Sequence, residues 1–456
     1  MQEGTLDIQE LVDLLDALKF RTLKEKLSIL NPPDIAEFFE HITMPQVLAI
    51  FRMLEKEHAA AVFAFLTPDK QALIIDGIND IELQGLVFEL FVDDTVDMLE
   101  ELPASVVKRV LKNTSPQKRD IINQFLQYSE DSAGSVMTSE YIRLKKNMTA
   151  AQALEHIRKV AADSESIYNC YVTDDKRHLE GSVSIKQLIL CPPDETLDTL
   201  IDSQSLIFTT TSSDKESVID SFTKYDLISM PVVDKENRLV GIITIDDVVS
   251  VMQEESAEDM EIMAAITPSE QPYLKTSVFT IWKQRIPWLL LMMVSATITG
   301  SIIASFEASL QLFPALIAFI PMLMGTGGNA GAQASVTVIK GLALNELGPK
   351  NVPAVITKEL FVSLLCGTAL AVCNFVKILL VDNLLLHSEV SIMAAATVCV
   401  TLLLVVVCAK LIGCILPIVA KRLGLDPAVM ASPFITTIVD AISLVIYFQV
   451  AMFLLF

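Results

Sequence analysis

Residues 435–448 read ITTIVDAISLVIYF, an almost wholly apolar run with one carboxylate, Asp440, in the middle of it. What that charge costs depends on the solvent around it, so the first question is whether the run lies in a protein core or in a bilayer. The distribution of charge answers it. Of the chain's 34 basic and 56 acidic side chains, residues 271–456 hold 10 and 7, which leaves 24 and 49 for residues 1–270. Two parts built for two different solvents are implied.

In the second part, apolar stretches long enough to cross a bilayer, about 20 residues each, recur five times: at roughly 286–306, 313–342, 360–381, 391–417 and 428–455. Lys283 and Arg285, then Lys340, Lys350 and Lys358, then Lys410, Lys421 and Arg422 flank alternate ends. The other connections carry mostly Glu307, Asp382, His387 and Glu389, with Lys377 as the mild exception. By the positive-inside rule the first 270 residues are expected in the cytoplasm and the C-terminus outside. The opening MQEGTLDIQELVDLL has no basic segment followed by an apolar one, so no cleaved signal is expected. A multi-pass inner-membrane protein in contact with the lipid bilayer follows. The seven cysteines show no CxxC spacing, and five lie in apolar spans, which fits small packing residues better than a disulfide or zinc framework.

Residues 1–130 repeat a helix-start signal: NPPDIAEFF, MPQVLAIF, TPDKQALII, VDDTVDMLEEL, LPASVVKRVL and SPQKRDIINQFL. Each sets a capping or turn residue, often with proline, before an apolar run of helical period. Such short helices bury their faces only by stacking, so an all-α superhelical domain is expected. Residues 131–255 instead alternate β-branched runs with helical ones, and one unit occurs twice: YVTDDKRHLEGSVSI and PVVDKENRLVGIITI, each followed by a helix.

This duplication resembles a tandem pair of CBS domains, α/β modules that in many proteins bind adenine nucleotides. GIITIDD in the second copy matches the family's pattern of a hydroxyl and a carboxylate near a nucleotide ribose, on Thr244 and Asp247. The first copy has Ser184 but Gln187 where an acid is usual. The resemblance thus implies a nucleotide, ATP for example, at Thr244 and Asp247 with Ser184 as the weaker counterpart, while a purely structural role for the same residues stays open.

In the membrane part, Asp440 sits 12 residues after Ala428 and 15 before Leu455, roughly 18 Å or more from either end at about 1.5 Å per residue. A carboxylate cannot snorkel that far, so it faces protein or water, is protonated, or meets a cation. Pro433, Thr436, Thr437, Ser443 and Tyr447 share roughly its side of a helix, a polar stripe that reads as a pore lining. The second span reads FPALIAFIPMLMGTGGNAGAQASVTVIK, with Pro314, Pro321, Gly325, Gly327, Gly328, Gly331 and Asn329. It is expected to be a discontinuous helix whose freed carbonyls face an ion. A small-residue packing ridge at Gly327, Gly331 and Ser335 is the other reading. GTGGNA also passes for a loose nucleotide loop, but no strand precedes it. One Asp per chain is a weak cation site. A two-fold axis would double it, and Mg2+, which keeps its waters, suits a site of one or two carboxylates.

Taken together, the acidic helical N-domain, the tandem CBS pair, five spans, GTGGNAGAQ and DPAVMASPFITTIVD resemble the MgtE family of magnesium transporters over essentially the whole chain. The resemblance implies a homodimeric Mg2+ channel with Asp440 as pore carboxylate and the second and fifth spans, with Asn329 and Thr436, lining the path. It also implies cytosolic Mg2+ as regulator, bridging acids that are dense here. These are Asp93, Asp94 and Asp97 in the N-domain, Glu216 and Asp226 in the second CBS copy, and Asp246, Asp247, Glu254, Glu255, Glu258 and Asp259 toward the connector. Of these, Glu216, Asp226, Asp247, Glu255, Glu258 and Asp259 fall at matching family positions. Ala332 and Ser250 depart from the pattern, the first where many members are polar and the second where an acid is common.

The expected architecture is a multidomain chain: N-domain 1–130, CBS copies 131–199 and 200–255, a helical connector (plug) 256–282 and a five-helix transmembrane domain 283–456. Ion-coupled secondary transport and a membrane-anchored nucleotide sensor are the alternatives. No enzyme is expected, because the five histidines are scattered and no nucleophile and base share a motif. No nucleic-acid partner is expected of so acidic a chain.

Overall fold

The computed structural model describes residues 8–201, 206–269, 273–274, 276–306, 314–348, 350–385, 387 and 390–455. It divides into two compact units, Met1–Met252 and Gln253–Phe456.

The first unit opens with ten helices among the described residues, from α1 (Ile8–Asp16) to α10 (Pro116–Phe125). The caps read from the sequence start them. Pro32, Pro68 and Pro116 occupy first-turn positions, where a missing N–H costs nothing. Asn79 Oδ1 accepts from the backbone N–H of Ile81 and Glu82 at 3.0 and 2.9 Å, while Glu82 returns an acceptor to Asn79 N–H at 2.9 Å. Alternate helices pack, α3 (Pro32–Glu40) on α5 (Lys56–Ala64) and α5 on α7 (Asp80–Glu89), which gives the superhelical array.

Two three-stranded sheets follow, β1 (Tyr141–Lys145), β2 (Ser166–Thr173) and β3 (Leu179–Ser184), then β4 (Thr209–Thr210), β5 (Ser229–Val233) and β6 (Leu239–Thr244). In each, the first pair is parallel and the second antiparallel, so the duplication seen in the sequence is a duplication of topology. The two hairpins meet through Leu179 N–H on Asn237 O (3.1 Å) and Leu239 N–H on Arg177 O (2.9 Å). Residues 132–138 belong by hydrogen bonding to the second copy: Ala133 and Gly134 N–H bond Ser213 and Thr211 carbonyls, and Thr138 pairs with Ile242. Leu197, Leu200 and Ile201 pack in the first copy's core, so the boundary expected at 199 falls beyond 201. A single apolar core runs from the N-domain helices into the second copy at Met230, Val232, Ile243 and Val248.

The expected connector helix is corrected. Residues 256–263 continue α15 (Ile245–Met263), which starts directly after β6, and residues 278–282 already belong to the first span. Between them the chain turns at Ala265, whose φ is 55°. Among the described residues, the apolar helices of spanning length are Val278–Ser305, Pro314–Ala343, Val352–Leu385, Ile392–Arg422 and Pro427–Leu455, five as expected.

The second span is not broken. After a 3-10 turn at Pro314–Phe319, it is α-helical from Ile320 to Ala343 straight through its glycines. Those glycines serve close packing instead. A Cβ on Gly413 of the fourth span would lie 2.2 Å from the carbonyl oxygen of Gly331, and one on Gly328 would lie 2.9 Å from Thr436 Cγ2 on the fifth. The fourth span is the centre, in contact with the second, third and fifth. Lys377, the exception to the charge rule, pairs with Asp382 at 2.8 Å within a π-helical end of the third span and lies over the Phe319 ring.

Candidate ion path and acidic site

Asp440 lies at the middle of the helix Ser432–Leu455, half-buried and without a hydrogen bond or ion pair among the described residues. The polar stripe around it divides by role. Thr436, one turn earlier, meets Gly328 of the second span. Thr437 Oγ1 donates to Pro433 O at 3.1 Å. Tyr447 is fully buried and donates to Leu316 O at 2.9 Å, so it anchors the second span and lines nothing. Ser443 Oγ is buried with no hydrogen-bond partner among the described residues. Asn329 is on the open face of the second span with Gly325 and Gln333, away from the neighbouring helices of its own chain. Among the described residues, therefore, none covers the side on which Asn329 lies.

The first unit gathers acids from several elements. Asp93 and Asp94 start α8 (Val92–Glu101), and Asp246 and Asp247 start α15. Glu140 and Glu165, which precede β1 and β2, complete the group; neither stood out in the sequence, because each is a single acid in an ordinary turn. Glu140 Oε1 accepts from Val92 N–H at 3.2 Å, capping α8 from another domain. Burial, then Asp94 and Asp247, raise the Asp93 carboxyl well above the usual carboxylate range. Burial and Asp247 push Asp94 up to about 6, and burial, Asp246 and Asp247 push Glu165 up to about 7. Burial first, and then Asp246, raise Asp247 against the opposing bond from Thr244. The Lys118 ammonium donates to the carbonyls of Val87 (2.7 Å) and Leu90, and burial lowers its pKa although these acids pull the other way. Asp93 Oδ1 is buried with no hydrogen-bond partner, an orphaned acceptor of the kind a cation would satisfy. No group of three or more His, Cys, Asp or Glu among the described residues is arranged to hold a metal ion, so any ion here keeps most of its waters.

The remaining predicted residues are spread. Asp97 is exposed on α8. Glu216 and Asp226 stand at opposite ends of α14 (Lys215–Tyr225), about 15 Å apart, and so form no common site; Asp226 caps the helix with a left-handed φ of 50°. In the second unit burial, and after it the charges of Asp426 and Glu255, raise Asp259; Glu258 is exposed. Asp426 opens the stretch DPAVMASPFITTIVD but was not singled out in the sequence, where it precedes the fifth span and a turn. It caps the 3-10 turn Pro427–Met430, accepting from Ala428 N–H at 2.8 Å.

Both CBS motifs are closed on themselves. Thr244 Oγ1 donates to Asp247 Oδ2 at 2.6 Å, and Ser184 Oγ donates to Gln187 Oε1 at 2.8 Å in a complete capping box. The pair expected beside a nucleotide ribose therefore bonds to itself, and a ribose hydroxyl would have to share Asp247 with Thr244.

Comparison with known proteins adds the following. The model of a divalent cation transporter family, MgtE, matches residues 320–450; that of the MgtE intracellular N domain matches 30–131; and CBS domain models match 133–194 and 186–254. The chain is 33% identical over 451 residues to the magnesium transporter MgtE of Thermus thermophilus, covering 97% of this chain and 98% of that one. It is 30% identical over 480 residues to that of Bacillus subtilis, covering 99% and 98%. Among solved structures, the cytosolic domain of the Mg2+ channel MgtE in complex with ATP is similar at 32% identity and a TM-score of 0.50, covering 53% of this chain and 99% of that one. The soluble part of a magnesium transporter shares the fold at 24% identity and a TM-score of 0.52, covering 55% and 98%.

Proposed function

The chain belongs to the MgtE family of magnesium transporters, and from that premise we propose that it is a homodimeric Mg2+ channel of the cell membrane, closed by cytosolic Mg2+. One observation carries the reading: a carboxylate in mid-span, half-buried, with no partner of its own chain among the described residues. Such a group is tolerated when water or a cation reaches it. A two-fold axis beside Asp440 and the open Asn329 face gives two carboxylates at one level, enough to hold hydrated Mg2+ without stripping it. Light scattering of the purified protein in detergent is expected to give the mass of two chains.

The first unit lies on the cytoplasmic side in this reading, since basic residues mark alternate span ends and Lys377 is neutralised by Asp382. Mg2+ between Asp93, Asp94, Asp247, Glu140 and Glu165 offsets their repulsion and holds the N-domain on the CBS pair. Mg2+ at Glu255, Asp259 and Asp426 ties the end of α15 to the start of the fifth span. Depletion releases both. ATP is named with the similar cytosolic domain; for this chain no gating step is routed through a nucleotide.

The same acids set a pH dependence. Their raised pKa values mean that the folded unit binds more protons than the unfolded chain, so its stability falls as pH rises. The window runs from 3.8 to about 6 for Asp94 and from 4.5 to about 7 for Glu165. Amide exchange of residues 92–101 in the full chain, without Mg2+, is expected to speed up across that window beyond its intrinsic increase, and added Mg2+ at neutral pH should slow it again. Exchange indifferent to both would refute the acidic sensor.

One observation favours ion-coupled transport as a second reading: Glu359, in the third span, has a buried Oε2 with no partner. Glu359→Gln is expected to leave Mg2+ flux without a proton gradient unchanged; a mutant that loses dependence on a proton gradient would establish coupling instead.

A further inference from the structure

The second unit contains a cavity of about 390 Å3 between the end of α15, the first span and the fifth span. Its walls include Ile262 and Ala265, Trp288 and Ile298, and Phe434 and Ala441. Two hydroxyls reach it, and both are spent on their own helices: Ser295 Oγ donates to Leu291 O at 3.0 Å and Thr437 Oγ1 to Pro433 O at 3.1 Å. Water there would find only those two hydroxyl oxygens to donate to and no donor to accept from, in a wall that is otherwise apolar, so the occupant is apolar. From Trp288 to Ile298 the wall runs about 15 Å along the first span, half the thickness of a hydrocarbon core. That is a slot for an extended chain rather than a compact solute.

A charge lies one helical turn before the slot's first lining residue on the first span. Arg285 precedes Trp288 by three residues, in the same helical row as Met292 and Ser295, and is exposed with no ion pair among the described residues. No residue of the first span is buried within the unit, so the slot borders the bilayer. A cation at the rim of an apolar slot between spans matches the chemistry of an anionic lipid. We propose that the cavity takes one acyl chain of an anionic phospholipid, with its phosphate against Arg285. The lipid would then touch the fifth span one turn from Asp440, at Thr437, and the end of α15 at Ile262.

The chain has two tryptophans, so Trp282→Phe leaves Trp288 as the sole reporter. In phosphatidylcholine bilayers, phosphatidylglycerol with brominated chains is expected to quench Trp288 saturably at low mole fraction, and brominated phosphatidylcholine only in proportion to its amount. Arg285→Gln, a surface change, should abolish the difference between the two lipids, and Ser295→Leu should remove the saturable part by filling the slot. Quenching proportional to mole fraction for both lipids overturns the proposal. So does absence of quenching by either, which would mean that a second copy of the chain fills the cavity.

Discussion

Mg2+ flux into proteoliposomes is expected to fall to the level of empty vesicles when Asp440 is replaced by alanine, while the protein keeps its fold and dimer mass. The fold should survive because Asp440 makes no hydrogen bond among the described residues, so its removal orphans no buried partner and relieves the cost of a carboxylate at membrane depth. Flux should not survive, because without Asp440 the mid-span polar positions that remain, Thr436 and Asn329, are neutral. Asp440→Asn, which keeps the shape and removes the charge, is expected to lose flux as well, because charge is what attracts the hydrated ion. Equal flux in the wild type and both mutants would make Asp440 a structural acid.

The second large effect is steric. Gly413→Val is expected to prevent assembly of the membrane unit, because even a Cβ there would sit 2.2 Å from the Gly331 carbonyl oxygen, a backbone atom with no rotamer to escape into. Overpacking of this kind costs about 1–3 kcal/mol or more, and here it acts between the second and fourth spans, whose contact supports the helix carrying Asn329. The check is the melting temperature in detergent, with Gly348→Ala, an open position, as control. Unchanged melting in Gly413→Val would mean that the glycines are not there for packing.

Much of this was legible in the sequence, for physical reasons that can be named. Span number and domain order follow from hydropathy and from helix starts such as Pro68 and Pro116, which act locally. The glycine run misled because glycine permits two things, a broken helix or a close approach, and only the neighbouring Gly413 decides between them. The stripe through Tyr447 misled because helical period gives a side but not what faces it; a carbonyl at Leu316 claims the hydroxyl. Glu140 and Glu165 were invisible because their partners, Asp94 and Asp247, are distant in the chain. The connector failed as one helix because acidic amphipathic character does not reveal a turn at Ala265.

The measurement that bears most directly on the central claim is Mg2+ flux through the full chain under an inside-negative potential with no proton gradient, as Mg2+ on the face carrying the first unit is raised. The account predicts flux that needs no second ion and shuts off steeply in the millimolar range typical of water-rich carboxylate sites. Flux that requires a proton gradient, or that ignores Mg2+ on that face, would contradict it.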